Sequence, residues 1–158
     1  VQANCAVMHA LEQQINTVET ELLRQLKPCK AFQLLKTMAG VGDILSMTIY
    51  LETGDISRFN SSGNFASYAR MVNSKRESNG KKKGEGNRKC GNRYLCWAFM
   101  EAAHYAIRSN EFIRRFYQRK CTKSLKVVAM KAVAHKLARA CYNMLKDGVE
   151  FDVKRAFS

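Results

Sequence analysis

The sequence predicts an all-α fold, and three observations carry that expectation. Apolar residues recur at spacings of three and four through most of the 158 residues. No segment alternates apolar and polar residues as a half-buried strand does. Helix-stopping residues stand where the periodic segments end: Pro28, the Gly40-Val41-Gly42 step, Asn110 and Gly148. The expected organisation is a coiled-coil-like linker helix over residues 1–28 and a helical domain over 29–150, followed by a tail at 151–158. Within the domain the sequence predicts a helix-hairpin-helix element at about 31–51 and a basic glycine-rich loop at about 72–92.

Residues 4–27 read as one long helix. Met8, Leu11, Ile15, Val18 and Leu22 are spaced alternately by three and four, the seam of a coiled coil, and Leu26 extends the apolar face by a turn. Such a stripe packs either on the chain's own core or on another helix. Pro28 ends it. Leu34, Leu35 and Met38 then lead into Gly40-Val41-Gly42, and Ile44, Leu45 and Ile49 follow. Two glycines uncover the backbone where a helix N-terminus begins, and its unpaired N–H groups can hold a phosphate. The plainer alternative is a tight turn between packed helices.

A turn-rich stretch over 52–63 precedes a short helix near 63–71 with Phe65, Tyr68 and Met71. Residues 93–120 return to helix. Tyr94, Leu95, Trp97, Ala98, Ala102, Tyr105 and Ala106 form the expected apolar face, with the alanines admitting a close neighbour, and Asn110 divides the stretch. The last long helix spans 124–146, with Ser124 as expected N-cap, Val127, Met130, Val133, Ala134, Leu137, Cys141 and Leu145 inward, and Gly148 as terminator.

Composition narrows the function. Hydrophobic residues make up 46%, with eight Phe and six Tyr, so a core is expected rather than disorder. No apolar run approaches the roughly 20 residues that span a bilayer. The first residues lack the pattern of a signal peptide, so a cytoplasmic location is expected. They also lack an initiator Met, which points to part of a longer chain. The formal charge of +14 suggests a polyanionic partner, nucleic acid before membrane. The six cysteines lack zinc-site spacing and read as free thiols. His9, His104 and His135 are isolated and read as structural or surface groups. Glu101 and Glu111 have no carboxylate partner, so no Mg²⁺ cluster is expected within this chain.

The charge concentrates in one place. Arg70 through Arg93 holds nine basic and two acidic residues, half of the net charge. Residues 72–92 carry four glycines and few apolar residues. A solvated linker is the ordinary reading of such a stretch. Its position between patterned helices favours a loop wrapped on phosphates, with Ser74 and Ser78 placed among cations that would stabilise charge on phosphorus.

Five segments together carry a resemblance: Leu35-Lys36-Thr37-Met38-Ala39-Gly40-Val41-Gly42, Gly54-Asp55-Ile56-Ser57-Arg58-Phe59, Ser78-Asn79-Gly80-Lys81-Lys82-Lys83-Gly84, Gly91-Asn92-Arg93-Tyr94-Leu95 and Ala134-His135-Lys136-Leu137-Ala138. Over roughly residues 31–150 the chain resembles the C-terminal domain of the insertion-sequence transposases that pair an N-terminal RuvC-like DEDD nuclease domain with a serine-bearing domain. These are described as bridge-RNA-guided recombinases. Residues 4–27 resemble the coiled-coil segment that joins the two domains. The resemblance implies that a serine attacks a DNA phosphodiester and becomes linked to the cut strand. Matching back from Gly91-Asn92 puts that serine at Ser78, with Glu77 where relatives carry a first serine and Ser74 as the alternative. It further implies a composite site whose Mg²⁺-binding acids lie on the other domain. DNA and a guide RNA are the partners the resemblance implies, in a prokaryotic cytoplasm near the nucleoid, and the seam of the N-terminal helix adds a second copy as an expected partner.

The expected nucleic-acid contacts are Gly40, Val41, Gly42, Lys75, Arg76, Lys81, Lys82, Lys83, Arg88, Lys89 and Arg93. This chain alone is expected to bind nucleic acid without cleaving it. The competing expectation is a non-enzymatic helix-hairpin-helix DNA-binding module.

Overall fold

A computed structural model describes residues 2–72, 75–85 and 90–158; for Gln2 and within 75–78 and 82–85 it describes the backbone alone. The chain is built from helices, as its periodicity predicts. Helix α1 spans Gln2–Leu26, α2 Lys30–Lys36, α3 Asp43–Thr53, α4 Ser62–Tyr68, α5 Arg93–Ser109, α6 Glu111–Cys121, α7 Lys126–Asp147 and α8 Val153–Phe157. One departure interrupts this pattern: the basic segment forms an antiparallel hairpin, β1 (Lys75–Ser78) and β2 (Lys81–Glu85). No helix among the described residues is long and apolar enough to cross a membrane.

Helix α7 is the centre of the body, packed by α2, α4, α5, α6 and α8. Small residues make this possible. Ala98, Ala102, Ala103 and Ala106 on α5 and Ala129, Ala134 and Ala138 on α7 are fully buried, so backbones approach closely. The aromatic part of the core fills the gap beneath α4, where Phe65 meets Phe59 and Phe99 edge-on at 5.1 and 6.0 Å. Gly148 ends α7 in the left-handed conformation (φ 67°, ψ 31°) that an L residue avoids.

Three expectations need correction. Ser124 does not cap α7; its hydroxyl donates to the Lys120 carbonyl at the end of α6, and Leu125 holds the N-cap position. Val127 faces solvent together with Leu125 and Val128. Tyr94, Trp97 and Tyr105 are about half exposed, because the alanines and Leu95 supply the packed face of α5. The expected tail at 151–158 carries a helix packed on the body: α8 seats Phe157 edge-on against Phe116 at 5.4 Å, and the Lys136 ammonium donates to the carbonyls of Ala156 and Ser158.

Helix α1 meets the body at α3 and projects its N-terminal half from it. Met8, Leu11, Ile15 and Val18 are 55–69% exposed, so the seam is not covered by this chain's own core.

Candidate nucleic-acid interface

The hairpin owes its form to two residues. Asn79 and Gly80 both have positive φ, 52° and 70°. That pair is the signature of a two-residue type I′ turn, whose twist matches that of the flanking strands. Ser78 pairs with Lys81 across the turn, Glu77 lies opposite Lys82, and Lys75 lies opposite Glu85. An irregularity between Lys75 and Glu77 interrupts the ladder. Ser78 is therefore the last strand residue before the tip. Lys81 is exposed beside the turn.

The foot of the hairpin is a dense polar joint between the end of α4 and the start of α5. Arg70 sits in the left-handed region (φ 58°), unusual for a residue with a Cβ. Its Nε and Nη2 both donate to the Gly91 carbonyl, at 2.9 and 2.7 Å. Gly91 has φ 94°, and a Cβ there would stand 2.4 Å from the Tyr68 carbonyl oxygen, so only glycine fits. The Asn92 N–H donates to that same carbonyl at 2.6 Å. The Asn92 side chain joins several groups at once. Its Oδ1 accepts from the N–H groups of Tyr94 and Leu95, capping α5, while its Nδ2 donates to the Glu52 carboxylate. Arg58 stacks on Phe59 and Tyr68, with centroids 4.5 and 4.8 Å away. Hydrogen bonds from Asn92, then from Arg58, hold the Tyr68 hydroxyl below the usual phenol range. The Gly-Asn-Arg-Tyr-Leu segment thus ties Arg70 and Gly91, one on each side of the basic segment, to the helical body.

The Gly40-Val41-Gly42 step has a packing role, as the plainer of its two readings expects. A Cβ on Gly40 (φ 79°) would fall 2.2 Å from the Ala102 carbonyl and 2.6 Å from the Ala106 nitrogen. Gly40 is the point where the turn touches the α5 backbone, and Val41 is buried beside it. Gly42 stands open as the N-cap of α3. The first residue of that helix is Asp43, paired with Lys36 at 2.6 Å, so an acid already occupies the positive end of the dipole. Packing takes up Gly40 and Val41, and a phosphate contact at this turn would rest on Gly42.

The remaining expected residues fall in several places. Lys75, Arg76, Ser78, Lys82 and Lys83 lie on the strands, where the backbone alone is described. Ser74, Arg88 and Lys89 lie outside the described residues. Arg93 is exposed at the start of α5, its guanidinium 4.7 Å from the Tyr94 ring centroid. The six cysteines are free, and burial pushes the Cys141 thiol up. Among the described residues no three His, Cys, Asp or Glu side chains come together as a metal site. Sequence reasoning missed Arg70, Asn92 and the turn type; the Asn-Gly dipeptide was the available signal.

Residues 32–118, more than half of the chain, match the profile of the transposase IS116/IS110/IS902 family. The matched span runs from α2 through the hairpin and its foot to α6. A search of the curated proteins finds no match to the chain.

Proposed function

The chain belongs to the transposase IS116/IS110/IS902 family, and on that premise we propose that it is the serine-bearing part of the DNA-cleaving site, with Ser78 as nucleophile. The observation that carries this reading is the place of Ser78: the residue before the Asn79-Gly80 turn, in a hairpin rich in lysine whose flanking residues Arg70 and Gly91 are hydrogen-bonded to one another. A nucleophile at a hairpin tip can reach into a groove or a neighbouring domain. A nucleophile within the helical body cannot.

The chemistry asks for three contributions. The Ser78 oxygen attacks a backbone phosphorus, the P–O bond to the leaving sugar oxygen breaks, and the strand end becomes a phosphoserine ester. Lys81 and the lysines of β2 stabilise the charge that builds on the phosphoryl oxygens. The serine proton passes to a general base, and the leaving sugar oxygen takes up a proton as it departs. A RuvC-like domain holding Mg²⁺ is proposed to complete the site. The ester retains the energy of the broken bond, so a second strand can displace the serine without an external energy source. A guide RNA would then choose the target by base pairing, and α1 would hold two protomers through its uncovered seam.

The test is a denaturing gel of the chain joined to its RuvC-like domain, incubated with Mg²⁺ and end-labelled DNA. A covalent protein–DNA band is expected from the parent protein and none from Ser78→Ala. An adduct that persists in Ser78→Ala contradicts the assignment. The competing reading, a non-enzymatic module held by the α2–α3 turn, draws support from the openness of Gly42 and predicts no adduct under any condition.

A further inference from the structure

We propose that the solvent face of α5 is a stacking platform for an unpaired nucleic-acid strand, an inference that rests on the transposase reading above. Tyr94, Trp97, Glu101, Tyr105 and Arg108 recur at spacings of three and four along α5. They share one face, opposite the buried alanines. The three aromatic residues are 48%, 47% and 54% exposed. From residue 94 to residue 108 the face runs about 21 Å, room for several bases at the ~3.4 Å repeat of a stacked strand.

The chemistry of the exposed apolar residues says what covers each face. On α1 they are Val7, Met8, Leu11, Ile15 and Val18, and at the start of α7 they are Leu125, Val127 and Val128. Branched and flexible aliphatic side chains interlock with another helix. On α5 they are aromatic. Flat rings offer a π-face to any base, and such stacking tolerates every sequence.

Charge agrees with this occupant. Arg93 and Arg108 bracket the rings, and half-buried Glu101 is the one carboxylate of the stripe. The Arg93 guanidinium lies over the Tyr94 ring, and its Nη2 donates to the Tyr94 hydroxyl at 2.6 Å, which fixes the orientation of the ring. The platform also begins at the foot of the hairpin that bears Ser78, so a strand opened for cleavage has a surface on which to lie.

The chain reports on itself, because Trp97 is its one tryptophan. Oligothymidylate, oligouridylate and a duplex of equal length are titrated into the 158-residue chain, with emission read for the parent and anisotropy of labelled strands for the variants. Single strands are expected to quench Trp97. Trp97→Ala and Tyr105→Ala are each expected to weaken single-strand binding about tenfold, with Trp97→Phe retaining most of it. Duplex affinity and the slope of log affinity against log salt should stay unchanged, since no phosphate contact is removed. Quenching by either single strand supports the platform, and the ratio of the two affinities names DNA or RNA as its source. Unchanged emission while single strands bind, or full affinity in Trp97→Ala, overturns it. So does an emission change that follows protein concentration without any oligonucleotide and accompanies a doubled mass by light scattering, since the face would then pair two copies. Loss of platform behaviour with duplex binding intact strikes this inference alone. A parent chain that binds no nucleic acid at low salt strikes the transposase reading as well.

Discussion

Gly40 sets how closely the α2–α3 turn approaches α5. An added methyl would meet helix backbone at 2.2 and 2.6 Å, and the φ of 79° would strain any L residue. Gly40→Ala is therefore expected to cost about 3 kcal/mol or more, read as a lowered urea midpoint at unchanged slope. Gly42, two residues on, has φ −95° and open space around its Cα. Gly42→Ala should cost less than about 1 kcal/mol, and with a basic hairpin as the main contact its DNA affinity should stay within about twofold. A large loss of affinity with the fold intact would favour the helix-hairpin-helix reading. His135 gives a pH test at the same scale. Burial first, then the charges of Arg139 and Lys136, lowers its pKa from the ordinary 6.5. The folded state thus binds fewer protons than the unfolded chain below that value, and stability falls as pH drops through it. The melting temperature should decline from about pH 7.5 to about pH 5.5, and His135→Gln should flatten the decline.

At the scale of elements, the hairpin and its foot show what was legible and what was not. Helix positions in the body followed from periodicity because its helices bury their apolar stripes: α5 was readable from Leu95, Ala98, Ala102 and Ala106. Its aromatics were misplaced because Tyr94, Trp97 and Tyr105 repeat with the same period on the opposite face. Bulk suggested core where small size was needed. The strands were hidden for a different reason. Lys75–Ser78 and Lys81–Glu85 contain no apolar residue, so alternation was absent, and only Asn79-Gly80 marked the turn. Asn92→Ala removes two capping bonds to α5 and the link to Glu52, and is expected to cost about 1–2 kcal/mol in thermal or urea unfolding. Helix α1 makes a separate prediction. With its seam uncovered, deletion of residues 1–27 should lower the mass measured by light scattering to that of one protomer while the body keeps its melting temperature. An unchanged mass would remove α1 as the pairing element.

The whole molecule is a helical body that carries two attachments, a long helix with an aliphatic seam and a basic hairpin with a serine before its turn. The body was legible as a fold because apolar spacing encodes it. The candidate site was legible only through the linear order of Ser78, the lysines and Gly91-Asn92, since charge alone does not separate a catalytic loop from a solvated one. With +14 on one small chain, DNA affinity should fall steeply as salt rises. Binding of that kind leaves the chemistry open, so the decisive measurement is where DNA becomes attached. Active protein is reacted with its DNA, the adduct is digested with nuclease and trypsin, and the modified peptide is identified by mass spectrometry. Cleavage after Arg76 and Lys81 should release the peptide running from Glu77 to Lys81 with a nucleotide on Ser78. A nucleotide on Ser74, on a tyrosine, or on no peptide at all would contradict Ser78 as the nucleophile.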